Sequence, residues 1–115
     1  MSLAVGCAMG DVFRAIAPMS GAFYSGCENG DAPIAFWGSH GTNDSVVPLS
    51  DGEAGRDEFL ARNNCATQTA PVDPNPCVTY DGCDAGYPVT WCEFSGDHQP
   101  PNFAPDALWD FFSQF

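Results

Sequence analysis

The sequence contains no lysine, and its three arginines face fifteen acidic residues, for a formal net charge of −12. Nucleic acids and anionic membranes are bound through clustered Lys and Arg, so this balance argues against both as partners. No run approaches the roughly 20 apolar residues that a membrane-spanning helix needs. The opening Met1-Ser2-Leu3-Ala4-Val5-Gly6-Cys7 has no basic start and no long apolar core, and so is not an export signal. Only two histidines occur and no cysteines stand as a C-x2-C pair, so a structural zinc site is not expected. There is also no Gly-x-Ser-x-Gly, the strand–turn–helix elbow that presents a nucleophilic serine.

What is present fits one small domain. The 115 residues are 44% hydrophobic, enough for a modest core. Six cysteines are many for this length, and four of them fall between Cys65 and Cys92. Disulfides formed in an oxidising compartment account for them best. A disulfide-type composition without an export signal creates the expectation that a segment precedes residue 1.

Hydrophobic patterning gives a helix over residues 1–9 closed by Gly10, then a short buried strand over Val12 to Pro18 and a loop from Met19 to Gly30. Pro33 to Gly38 is an apolar run without alternation, as expected for a parallel strand covered on both faces. A polar loop from Ser39 to Asp44 follows. Gly52 to Asn64 reads as a helix with early acids and a late Arg62, an order that complements the helix dipole, and Asn63-Asn64 can close it. Thr67 to Pro76 is a Pro-rich connector. Cys77 to Tyr80 and Val89 to Phe94 form a hairpin around residues 81–86. Pro105 to Phe115 is a helix, with Leu108, Phe111, Phe112 and Phe115 on one face. Strand–helix alternation predicts an α/β sheet whose parallel edge stays exposed.

Two residues stand where α/β sheets do chemistry, just past the C-terminal ends of strands. Asp44 follows the second strand and His98 follows the last. A carboxylate can fix the tautomer of an imidazole and stabilise its protonated form, and acid then histidine is the chain order Ser…Asp…His. Each also has a plainer reading: Asp44 as a turn-former, His98 as a loop histidine braced by prolines. His40 is the rival base, and is read more simply as bonding backbone across its turn. Asn43-Asp44-Ser45 matches the glycan acceptor pattern, but a glycan there would crowd the acid. Ser20 and Ser25 are the serines in strand-end loops ahead of Asp44, and neither sits on an elbow. Cys7 lies within the first helix and is expected to be packed or disulfide-bonded.

Three segments together resemble a known family. They are residues 11–21 (Asp-Val-Phe-Arg-Ala-Ile-Ala-Pro-Met-Ser-Gly), 40–48 (His-Gly-Thr-Asn-Asp-Ser-Val-Val-Pro) and 91–101 (Trp-Cys-Glu-Phe-Ser-Gly-Asp-His-Gln-Pro-Pro). They are similar to the fungal feruloyl esterases of carbohydrate esterase family 1, relatives of acetylxylan esterases and polyhydroxybutyrate depolymerases. The last helix looks like that family's last helix as well. The resemblance implies that residues 1–115 are the C-terminal portion of a single α/β-hydrolase domain, a parallel sheet flanked by helices, truncated before the nucleophile strand. It makes Asp44 the triad acid and His98 the triad base, with the nucleophilic serine and an oxyanion donor upstream of residue 1. The implied activity is hydrolysis of ferulate esters on plant cell-wall xylan by a secreted, extracellular enzyme that needs no metal or organic cofactor. The chain alone is then expected to be inactive, and a truncated gene model or partial transcript explains it best. Cys65, Cys77, Cys83 and Cys92 resemble the family's cysteine-bearing segment, and two disulfides are expected among them. Cys7 and Cys27 pair with each other or with cysteines elsewhere. Asp97 stands where relatives more often have glycine, and is expected to perturb the His98 ring. The competing reading is a small disulfide-stapled secreted binding or structural protein.

Overall fold

The computed structural model describes residues 1–24, 27 and 30–115. Among these residues the order is α1 (Ser2–Ala8), β1 (Ala15–Ile16), β2 (Ala35–Gly41), α2 (Leu49–Arg62), β3 (Thr69–Pro71), β4 (Cys77–Tyr80), β5 (Val89–Phe94) and α3 (Ala104–Phe112). The strands form one sheet in the order β1-β2-β5-β4-β3. β1, β2 and β5 run parallel, whereas β4 and β3 are antiparallel. The expected parallel sheet is thus corrected to a mixed one. The hairpin from β4 to β5 forces the reversal, and β3 emerges from the Pro-rich connector as an extra edge strand. Pro71 is tolerated there because an edge strand can spare an N–H.

The sheet is covered on both faces. Leu3 and Cys7 of α1 and Phe59 of α2 pack with Ile16, Phe36, Val89 and Trp91 on one face. Ala104, Ala107 and Phe111 of α3 pack with Ala35, Trp37, Cys77 and Cys92 on the other. Alternate residues of β2 therefore serve opposite cores, and all seven of its residues are buried. The strand also outlasts its apolar run. Ser39, His40 and Gly41 were expected in a loop, but they extend β2 by pairing with Cys92, Glu93 and Phe94 of β5. Ladder hydrogen bonds, which hydrophobicity does not report, carry the strand three residues further.

Three disulfides staple the domain: Cys7–Cys27, Cys65–Cys83 and Cys77–Cys92. Cys77 and Cys92 are direct register partners across β4 and β5. Two polar side chains at the end of α2 hold the layers together. Asn63 is fully buried. Its Oδ1 accepts from the Ile34 N–H at 3.1 Å, and its Nδ2 donates to the carbonyls of Ile34 at 2.7 Å and Tyr87 at 3.0 Å. It thereby ties together the entries to β2 and β5. Arg62 pairs with Glu58 and donates to the carbonyls of Cys7 and Gly30, joining α2 to α1.

Candidate active site

β2 and β5 are parallel neighbours in register, so their C-terminal ends emerge side by side. The loops that follow are zipped by backbone hydrogen bonds, from Thr42 N–H to the Phe94 carbonyl at 2.9 Å and from Asn43 N–H to the Gly96 carbonyl at 3.0 Å. Gly41 permits this approach, since a Cβ there would overlap the carbonyls of Gly96 and Asp97. The zip brings a residue three positions past β2 next to one four positions past β5.

Those residues are Asp44 and His98. Nδ1 of His98 lies 3.0 Å from Oδ2 of Asp44. The carboxylate side chain is fully buried, while the imidazole is 40% exposed. The other oxygen, Oδ1, accepts from the backbone N–H groups of Val46 at 2.9 Å and Val47 at 2.8 Å. Burial works against ionisation of Asp44, but the Val47 and Val46 N–H groups and the His98 ring outweigh it and hold the carboxyl at a pKa of about 2. An ionised carboxylate can only accept, so His98 donates from Nδ1. Its Nε2 lone pair is then free to take a proton. The ring borders two cavities. One, of about 290 Å³, is lined by Met1, Ser2, Leu3, Met19, Tyr24 and Val47 among others. The second, of about 180 Å³, lies against Met19, Ser20, Gln99 and Pro100.

Asp97, expected to perturb the His98 ring, makes its hydrogen bonds to other groups. Its carboxylate accepts from the backbone N–H and hydroxyl of Ser45, at 2.7 and 2.9 Å, and from the backbone N–H of His98 at 2.7 Å. These bonds hold its pKa below the usual carboxylate value, the Ser45 N–H first among them. Asp97 is therefore a clasp between the loop that carries Asp44 and the loop that carries His98. Sequence reasoning missed it, since the signal in Ser45 and Asp97 is one of pairing across 52 positions.

The remaining candidates fall into place around this pair. His40 is completely buried. Its Nε2 lies 3.0 Å from the Val47 carbonyl and 3.3 Å from Oδ2 of Asp44. It thus braces the turn as expected, but from within β2, and buried there it cannot act as an exposed base. Ser20 adopts a left-handed backbone at φ 50° and lines both cavities, yet its hydroxyl is buried and without a partner. Ser25 lies outside the described residues. Cys7 is in a disulfide with Cys27.

No protein-family model matches the chain. Individual relatives do. The whole chain aligns at 37% identity over 128 residues with feruloyl esterase D of Neurospora crassa, covering 44% of that protein. Feruloyl esterase C of Emericella nidulans is 37% identical over 123 residues, which are 97% of this chain and 45% of the relative. A bifunctional acetylxylan esterase/xylanase of Neocallimastix patriciarum is 31% identical over 110 residues, covering 88% of this chain and 16% of the relative. The chain thus spans less than half the length of the feruloyl esterases it matches.

Proposed function

We propose that this chain, a relative of the feruloyl esterases along its whole length, is the acid–base half of a serine carboxylesterase. In this reading it is the C-terminal portion of one α/β-hydrolase domain, and the nucleophilic serine lies on a segment that precedes residue 1. The observation that carries the reading is the hydrogen bond between buried Asp44 and half-exposed His98 at adjacent strand ends. Two features support the placement of the serine. The cavity beside His98 is walled by Met1 and Ser2, so a residue just ahead of α1 would face the ring. The edge of β1 is flanked by an apolar groove of about 390 Å³, lined by Val5, Ile16, Leu108 and Phe112, which further sheet could cover.

The chemistry then follows from the geometry. Nε2 of His98 removes the proton as the serine attacks the ester carbonyl, and the imidazolium is stabilised by the Asp44 carboxylate at Nδ1. The same nitrogen protonates the leaving alcohol, then activates the water that releases the acid. The names of the relatives point to an ester of a hydroxycinnamate such as ferulate, carried on xylan. The mostly apolar wall of Leu3, Pro18, Met19, Tyr24 and Val47 suits an aromatic acyl group. Secretion fits the three disulfides. Among the described residues no helix is long and apolar enough to cross a membrane.

The test compares the 115-residue chain with the same reading frame extended upstream through a Gly-x-Ser-x-Gly, using methyl ferulate and an acetylated xylan. Only the extended form should release acid, and Asp44→Ala or His98→Ala should cost it about 10⁴-fold or more in kcat. Hydrolysis by the short chain that disappears on His98→Ala would put the nucleophile inside residues 1–115. Full activity of the extended His98→Ala form would remove the histidine from the mechanism. Preference for the acetyl ester would move the substrate to the acetylxylan class.

A further inference from the structure

We propose that His40 is a positioning residue for the candidate acid. It gives its Nε2 proton to the Val47 carbonyl and sets that N–H against Oδ2 of Asp44, and so steadies the carboxylate oxygen that His98 faces. The inference rests on the reading of Asp44 and His98 as an acid–base pair.

The argument begins with the proton count. Nε2 of His40 has two neighbours, the Val47 carbonyl oxygen at 3.0 Å and the Asp44 Oδ2 at 3.3 Å. Both are acceptors, so Nε2 carries the hydrogen, which is donated to the Val47 carbonyl and lies close enough to the Asp44 carboxylate to attract it. Nδ1 then carries the lone pair. It is buried, has no partner, and faces the backbone of Gly52 on α2. A donor there would satisfy it, and a Cβ at Gly52 would overlap it. An apolar side chain would fill this fully buried site without an orphaned nitrogen. A histidine with one unsatisfied atom is explained by what its other nitrogen holds.

That atom holds one corner of a ring closed by two hydrogen bonds and one electrostatic contact. Val47 gives its N–H to Oδ1 of Asp44, while its carbonyl accepts from His40, whose Nε2 also reaches Oδ2. The carboxylate is thereby fixed at both oxygens. Oδ1 has two backbone donors, and Oδ2 has one histidine from inside the core and one from the surface. Without His40, Oδ2 would be anchored only by the exposed ring it is meant to orient. The histidine of β2 makes the carboxylate a fixed reference, and the tautomer of His98 follows from it.

The two histidines make this directly readable, because they are the whole imidazole set of the chain. Long-range ¹H–¹⁵N correlation spectra of the ¹⁵N-labelled chain report which nitrogen of each ring carries hydrogen, and single substitutions assign the signals. His40 should be the Nε2–H tautomer and His98 the Nδ1–H tautomer. His40→Leu, which keeps the core filled but removes the donor, should lower the Nδ1–H to Nε2–H ratio of His98 about threefold or more, the scale of one modest hydrogen bond. His40→Gln, whose amide can donate from the position of Nε2, should restore most of it. A His98 ratio unchanged in His40→Leu, or lowered equally by Gln and Leu, overturns the proposal. Should the Leu variant fail to fold, the wild-type spectrum decides: a His40 with hydrogen on Nδ1, or an Nε2 signal unmoved by Asp44→Asn, overturns it. Asp44→Asn also separates the two readings. If it leaves His98 unaffected, the acid–base pair itself falls. If it shifts His98 while His40→Leu does not, only the role of His40 falls.

Discussion

Gly52 and Gly55 lie three residues apart in α2, and alanine at the two sites is expected to move stability in opposite directions. Helix propensity favours both changes by about 1 kcal/mol. At Gly55 nothing opposes it. The new Cβ would lie 3.4 Å from both Cδ atoms of Leu3 and 3.8 Å from Phe23, ordinary packing distances. Gly55→Ala should therefore stabilise by about 0.5–1 kcal/mol. At Gly52 the Cβ would overlap Nδ1 of His40 and lie 2.8 Å from its Cε1 and 3.0 Å from its Cγ. The ring cannot yield easily, since it is fully buried and its strand is paired to β5 at that residue. Overpacking of this kind costs about 1–3 kcal/mol, and backbone-held ring atoms put this site in the upper half of that range, so after the propensity gain Gly52→Ala should destabilise by a net of up to about 2 kcal/mol. In a domain of this size about 1 kcal/mol corresponds to about 4 °C in Tm. Urea unfolding with disulfides intact gives both values, provided the m-values agree. A Gly52→Ala variant as stable as Gly55→Ala would refute the steric argument. The double variant Gly52→Ala/His40→Ala should be more stable than His40→Ala alone, because the methyl then enters space the ring has left.

Two further outcomes follow from the site and the core. The pKa of Asp44 falls from 3.8 to about 2 on folding, so the unfolded chain binds more protons in that interval. The stabilisation it brings is present above pH 3.8 and is lost as pH falls through about 2; Asp44→Asn should flatten the unfolding free energy over that window, and an unchanged pH dependence would contradict it. Asn63→Ala should destabilise by about 2–4 kcal/mol, because it strands the Ile34 N–H and the Ile34 and Tyr87 carbonyls away from water. Chemical denaturation measures this, and a loss under about 1 kcal/mol would show that the backbone finds other partners.

Much of the layer order was legible because periodicity reports burial. β4 and β5 fall where the sequence puts them, and the last helix follows its apolar stripe to within a few residues. The parts that were not legible depend on pairing. β3 is only three residues long and carries a proline, so it has no hydrophobic signature, and only its ladder with β4 defines it. Val12 to Pro18 is as apolar as a full strand, but only Ala15 and Ile16 pair. The site divides in the same way. Asp44 and His98 could be picked out from their positions past apolar runs. The clasp of Asp97 on Ser45 and the inner support from His40 could not, because both are contacts between loops or layers. Asn63 was expected only as a helix terminator, and its tertiary role lies in a side chain whose partners are 24 and 29 positions away.

The interleaving of two disulfides has a topological consequence for how the protein responds to a protease. Cys65–Cys83 and Cys77–Cys92 overlap along the chain, so their closed loops share the segment from Cys77 to Cys83. A single cut between Cys65 and Cys77 leaves the two pieces joined through the first bridge. A cut between Cys83 and Cys92 leaves them joined through the second, and a cut in the shared segment leaves both bridges holding. No single nick from Cys65 to Cys92 can release the strand that carries His98 from the one that carries Asp44. The exposed β3 edge and its proline-rich surroundings can therefore be cleaved once while Asp44 and His98 remain on one covalent molecule.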